Sequence, residues 1–229
     1  MDFVANHLLT LILFTPTAAA LVLVFFPADR IRFFRWAAYG ASRFTTVPDP
    51  AAPFQFVEKA DWYGAINASY HLGIDGLSLP MVLLTTLLTP LAILASFNIQ
   101  ERVKAYMILF LLLETGMLGV FLALDLLLFF VFWEVGLVPM YFLIAQWGGK
   151  NRNYAALKFI LYTIGGSLGL LLAIQLMGVA VGTFNMVDLF ERWPALTSLS
   201  IPIGLSVGTV KTIAFWAFVI AFAIKVPVW

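Results

Sequence analysis

The sequence predicts an all-α polytopic membrane protein with about six or seven transmembrane helices, and three observations carry that prediction. The chain is 62% hydrophobic and 11% charged, whereas a water-exposed surface alone needs about a quarter to a third charged residues. Its mean hydropathy is +0.99. Six apolar runs, at residues 8–26, 77–97, 105–124, 126–147, 157–181 and 212–229, are each close to the roughly 20 residues that a helix needs to cross a bilayer.

The elements follow in order. The first run, Leu8–Phe26, is preceded by a segment with Asp2 and no Lys or Arg. It lacks the positive flank of a cleaved signal peptide, so the first helix is expected to be retained. Residues 105–147 are too long for one crossing and must fold back. Asp125 is the charge at the midpoint, so a tight turn is expected there. At about 1.5 Å per residue from that turn, Glu114 lies roughly 16 Å down one helix and Glu134 roughly 14 Å down the other.

Orientation is read from the bases. Arg30, Arg32, Arg35, Arg102, Lys104, Lys150, Arg152 and Lys158 are eight of the 13 Lys and Arg, and their three segments are expected to share the cytoplasmic face. The connections 49–76, Asp125 and 182–208 are acid-rich or poor in base and are expected outside. This grouping requires a return crossing between the first two apolar runs, and the stretch available is Phe33–Val47, which is short and contains Arg35 and Arg43. Residues 48–76, with three prolines followed by Phe54, Phe56, Trp62, Tyr63 and Tyr70, read as an interfacial cover on the outer surface. Val187–Trp193 reads as a short amphipathic helix.

Several function classes fall away. A net charge of +1 with no long basic run argues against nucleic acid, and zero cysteines removes thiol chemistry, thiolate metal sites and cysteine-held iron–sulfur clusters. His7, His71 and Asp75 have no metal-ligand spacing, and no phosphate-binding glycine loop or nucleophilic triad is present.

The informative residues are ionisable groups inside spans. A charge there costs about 2.5–3.5 kcal/mol even on the lenient insertion scale, and such groups mark proton or ion paths or structural pairs. Glu134 lies in Phe-Trp-Glu-Val-Gly-Leu-Val-Pro139, where Gly136 and Pro139 weaken the helix and free a carbonyl for water. Its alternative role is that of a permanently protonated or paired structural acid. Lys225 precedes Pro227 and suits a base that alternates between charged and neutral. The competing view is a snorkelling lysine, because about 21 Å of helix separates it from Lys211. Glu114, beside Gly116 and Gly119, is either a second path residue or an acid packed at a close helix contact. Lys158, at a helix end, either snorkels or joins the same path. Gly165, Gly166 and Gly169 read as a packing face.

Four segments, FFVFWEVGLVPMYFLIAQWGG, AFAIKVPVW, HLGIDGLSLPMVLLTTLL and KFILYTIGGSLGLLLAI, resemble the antiporter-like subunits of respiratory complex I, the proton-translocating NADH:quinone oxidoreductase. The resemblance covers residues 54–229. It implies that Glu134 on the fifth helix pairs with Lys225 on the seventh in a proton channel, with Glu114 the acid of the fourth helix and Lys158 the lysine opening the sixth. It further implies a second span at Phe33–Val47, outward-facing termini, and a bundle of about fourteen helices built as inverted repeats. The chain ends in the seventh, so the resemblance implies an N-terminal half and a fragment of the whole.

The division expected from this is residues 1–76 as a first helix, a second span and an outer loop, and residues 77–229 as an incomplete proton-translocating module. NADH, flavin, iron–sulfur clusters and quinone are expected in other subunits, with no cofactor in this chain. The implied partners are the bilayer and the other complex I membrane subunits, especially neighbouring antiporter-like ones, in a bacterial inner membrane. Two rivals stand beside this reading: a subunit of a multisubunit cation/proton antiporter or membrane-bound hydrogenase, and a non-transporting scaffold in which the charges only set helix register.

Overall fold

The computed structural model describes residues 7–24, 54–199 and 204–228. The elements are α1 (Leu8–Val24), β1 (Gln55–Tyr63), β2 (Ala68–Ile74), α2 (Ser78–Ala95), α3 (Val103–Leu122), α4 (Leu126–Val135), α5 (Leu137–Trp147), α6 (Arg152–Val181), α7 (Met186–Ala195) and α8 (Val207–Lys225). The five helical segments 78–98, 103–122, 126–147, 152–181 and 207–225 are each long and apolar enough to cross a membrane. With the shorter α1 they match the six expected runs to within a few residues at most ends. The expected crossing at Phe33–Val47, and the bases Arg30, Arg32 and Arg35, lie outside the described residues.

The two groups of connections sort to opposite ends of the bundle, as the charges predicted. At one end Lys104 Nζ donates to the Val24 carbonyl at 2.7 Å and Arg102 to Gln146 Oε1 at 3.1 Å. The Trp147 indole donates to the Glu101 carbonyl. At the other end the hairpin, the α3–α4 turn and the α6–α7 turn meet: Leu72 pairs with Ala123, and Asp125 with Asn185. Val24 and Phe54 therefore stand at opposite ends of the bundle. Single cysteines at Gly149 and Ala65, both exposed, are expected to react from opposite sides of the membrane with an impermeant maleimide. Labelling from one side would overturn this topology.

One expectation needs correction. The stretch expected as an outer loop is a ribbon: β1 and β2 form an antiparallel hairpin with Lys59 opposite His71 and Asp61 opposite Ser69. Asn67, in the left-handed conformation at φ 54°, makes the turn. The aromatic and β-branched content that suggested an interface also suits a pleated, half-buried ribbon. Pro48, Pro50 and Pro53 lie outside the described residues.

The hairpin's inner face caps α1. Glu58, only 8% exposed, accepts from the Leu9 and Thr10 backbone N–H groups and from the Thr10 hydroxyl. The Tyr70 hydroxyl lies 2.8 Å from Thr10 Oγ1. A carboxylate on the first free N–H groups of a helix is favoured by both hydrogen bonding and the helix dipole. Asp75 does the same for α2, taking the N–H groups of Leu77 and Ser78; the Ser78 backbone bond, ahead of the others, holds its carboxyl below the usual range. Beneath these caps Leu9, Ile12 and Leu13 pack with Leu72, Leu118, Leu122 and Phe132.

Close helix contacts are made by glycine where the sequence placed them on α3. A side chain at Gly119 would meet the Phe132 ring at 2.1 Å, and one at Gly116 would meet the Gly136 backbone nitrogen at 2.8 Å. On α6 the expected packing face is split. Gly166 packs against Ile224, whereas Gly165 and Gly169 have nothing close and border an apolar groove against α8 of about 390 Å³. The expected amphipathic segment is present as α7, capped by Asn185 accepting from Val187 N–H at 2.9 Å.

Candidate functional site

The span at 126–147 is one apolar run but two helices. It breaks at Gly136, two residues past Glu134, where the Gly136 N–H reaches the Phe132 carbonyl only at 3.5 Å. Pro139 has no N–H to offer the Val135 carbonyl. Two causes visible in the sequence thus open the backbone beside the acid. Gly136 is also the point against which Gly116 of α3 is pressed, so the break is held in place by a neighbour.

Glu134 is partly buried, and its Oε1 is shielded with no hydrogen-bond partner among the described residues. Lys225 comes to the same place from α8. Its Nζ sits 4.6 Å above the centre of the Trp133 ring and 3.5 Å from the Trp133 carbonyl. It is within Coulombic reach of Glu134, yet the described residues contain no direct Glu134–Lys225 ion pair. The resemblance implied a pair; the structure brings the two together through the tryptophan next to the acid.

Trp133 is itself fixed. It is 7% exposed, donates its indole N–H to Ser167 Oγ on α6 at 3.2 Å, and meets Phe222 edge-on at 5.4 Å. Sequence reasoning passed over it because a tryptophan in an apolar run reads as core. Its position directly before the acid was the available signal.

Glu114 is completely buried, and neither carboxylate oxygen has a partner among the described residues. Its neighbour Thr115 accepts from Thr17 Oγ1 at 2.7 Å, which ties α1 to α3. Lys158 is not gathered to the others: it is exposed on α6, with Nζ 5.9 Å from the ring centre of Tyr154 one turn away. No group of three or more His, Asp or Glu among the described residues could hold a metal ion.

The hairpin end of the bundle carries a second polar centre. Asp125, fully buried, caps α4 through Oδ1, which accepts from Leu127 N–H at 2.9 Å and Leu128 N–H at 3.3 Å. Its Oδ2 accepts from the Ser69 N–H at 2.9 Å and hydroxyl at 3.2 Å. The backbone on both sides is clasped as well: Leu124 N–H donates to His71 O, Leu126 N–H to Phe184 O and Met186 N–H to Leu124 O. Burial pushes the His71 imidazole below its ordinary value and Lys59 adds to this, against the opposite pull of Asp125 and Asp188.

This is the architecture of an antiporter-like membrane subunit: a helical bundle whose broken helix presents an acid to a lysine on a following helix. The family model described as NADH:quinone oxidoreductase/Mrp antiporter, TM matches residues 123–229, and that described as NADH-ubiquinone oxidoreductase chain 4, amino terminus, matches residues 51–124. The chain belongs to this family and is an integral, multi-pass membrane protein.

Within the family its relatives carry the names subunit M and chain 4. It is 42% identical to NADH-quinone oxidoreductase subunit M of Rhodobacter capsulatus, over 98% of this chain and 46% of that protein. It is 36% identical to the chloroplastic NAD(P)H-quinone oxidoreductase chain 4 of Chlorokybus atmophyticus, over 96% and 43%. The chain thus spans less than half the length of these relatives.

Among solved structures, a chain of respiratory complex I from Thermus thermophilus superposes with a TM-score of 0.74 at 27% identity, covering 96% of this chain and 44% of that one. A chain of the Mrp complex from Dietzia sp. also reaches 0.74, at 22% identity and covering 95% and 23%. That likeness shows the fold alone.

Proposed function

We propose that this chain carries part of a proton path in a NADH:quinone oxidoreductase, acting as a translocase subunit whose driving redox chemistry takes place elsewhere in the complex. One observation carries the reading: an acid with a shielded, unpartnered oxygen beside a helix break, with a lysine held one residue away. An acid so placed can take up and release a proton as water and a cation approach or withdraw, because each changes the balance between desolvation and Coulombic stabilisation. The fold similarity and the two family matches support the same assignment.

In this reading Glu134 is the proton carrier and Lys225 the movable cation that sets its affinity. Glu114 is a second carrier on α3, and Lys158 serves at the basic end of α6. The path lies within residues 77–229, while residues 1–76 supply a first helix and the outer cover. NADH, flavin, iron–sulfur clusters and quinone reside in other subunits. The partners are neighbouring antiporter-like subunits, and the complex sits in a bacterial inner membrane.

The rival scaffold reading is separated by the double change Glu134→Gln with Lys225→Met in the whole complex. It removes both charges while nearly preserving volume. Assembly is expected to persist and proton translocation per NADH oxidised in vesicles to be lost. Normal translocation by the assembled double variant would favour the scaffold.

A further inference from the structure

We infer that Trp133 is a positioning residue for the Glu134–Lys225 couple: its indole face and carbonyl form a seat that holds charged Lys225 next to, but off, Glu134. The inference rests on the proposed function above and deepens it by adding a third member to the couple.

The seat is built from three elements. The ring centre is 4.6 Å from Lys225 Nζ, within the distance at which an aromatic face attracts a cation, and tryptophan has the strongest face of the aromatic side chains. The carbonyl of the same residue, 3.5 Å away, is a second, weaker attraction on the ammonium. The ring cannot turn aside easily, because its N–H is bonded to Ser167 on α6 and Phe222 stands edge-on against it. Phe222 lies three residues before Lys225 on α8, so the same helix supplies both the cation and the ring that steadies its seat.

The consequence is a lysine with two positions. On the indole it leaves Glu134 without a contacting cation, as the described structure shows. On Glu134 it would neutralise the carboxylate. A path that alternates needs these positions close in free energy, and a strong permanent ion pair would abolish the alternation. A cation–aromatic contact at the edge of a bundle changes the balance of two such positions by about two- to thirtyfold, enough to compete with the ion pair without overwhelming it. The shape of the indole would do for packing; its negative face is what the seat uses.

That difference sets the experiment. In the whole membrane complex containing this chain, position 133 is filled by nonsense suppression with tryptophan carrying one, two or three fluorines on its six-membered ring. Fluorination withdraws charge from the ring face while keeping the shape and the N–H to Ser167. Reconstituted in vesicles, the series is expected to lose protons translocated per NADH oxidised stepwise with each fluorine, at constant complex content and constant uncoupled NADH oxidation. Equal translocation across the series would overturn the seat, whatever Trp133→Leu does to assembly. A parallel Glu134→Gln complex separates the two levels of the argument. If it translocates normally, the proton-path reading fails and the seat with it; if it is inactive while the fluorinated series is flat, only the seat fails.

Discussion

Replacing Glu134 by glutamine in the whole complex is expected to abolish the proton flux carried by this subunit while leaving the complex assembled. Glutamine keeps the size and much of the hydrogen-bonding capacity of the side chain, and the carboxyl oxygen Oε1 has no partner to lose among the described residues. What disappears is the ionisable group. Loss of a positioned proton donor or acceptor costs on the order of a hundred- to ten-thousandfold in a transfer step, so flux through this path falls to background. Lys225→Arg is expected to impair pumping too, although it keeps the charge: guanidinium stays protonated in proteins, and its planar fork favours a lasting bidentate pair with Glu134 over the alternation that an ammonium allows. The measurement is protons translocated per NADH oxidised in inside-out vesicles. Near-normal values for Glu134→Gln would refute the proton-path role, and near-normal values for Lys225→Arg would leave Lys225 a fixed structural cation.

The second large effect is expected at the hairpin end of the bundle. Asp125→Ala removes the cap of α4 and strands the donors of Ser69 in a fully buried place. Together the lost cap and the unsatisfied groups cost about 3–5 kcal/mol, a large part of the stability of an ordinary domain. Because α4 is a ten-residue helix anchored here and broken just beyond Glu134, the loss reaches the acid as well. Asp125→Asn keeps an acceptor for Leu127 and Leu128 and gives up only the Ser69 side, so it is expected to cost about 1–2 kcal/mol. Membrane content of the assembled complex and its thermal unfolding in detergent report both. Equal losses for the alanine and asparagine variants would show that the α4 cap adds nothing beyond the Ser69 contacts, and wild-type levels for both would overturn the clasp.

Reading along the chain found much of this site, and the reasons are local. Hydropathy located the spans because each helix must satisfy its own backbone in lipid. Gly136 and Pro139 foretold the break beside Glu134, because a missing N–H and a missing side chain act on the helix that contains them. Gly116 and Gly119 foretold a close contact on α3, although not that Gly136 and Phe132 would fill it. The depth of Glu134 and Lys225 in apolar runs marked them as costly and so as candidates.

Other features depend on which distant groups meet. Glu58 caps a helix by accepting from Leu9, 49 residues earlier in the chain, and no periodicity along β1 announces that. Asp125 was legible as a turn residue but not as the clasp that gathers Ser69, 56 residues away. Lys225 was legible as a partner for Glu134, yet the tertiary structure seats it on Trp133, 92 residues away in sequence. How many times the described chain can cross, where a helix must break and which charges lie at depth were all set along the chain, because bilayer thickness and backbone hydrogen bonding act on each segment alone. Which buried donor meets which acceptor was settled by the fold, because that choice is made by packing between segments far apart in the chain.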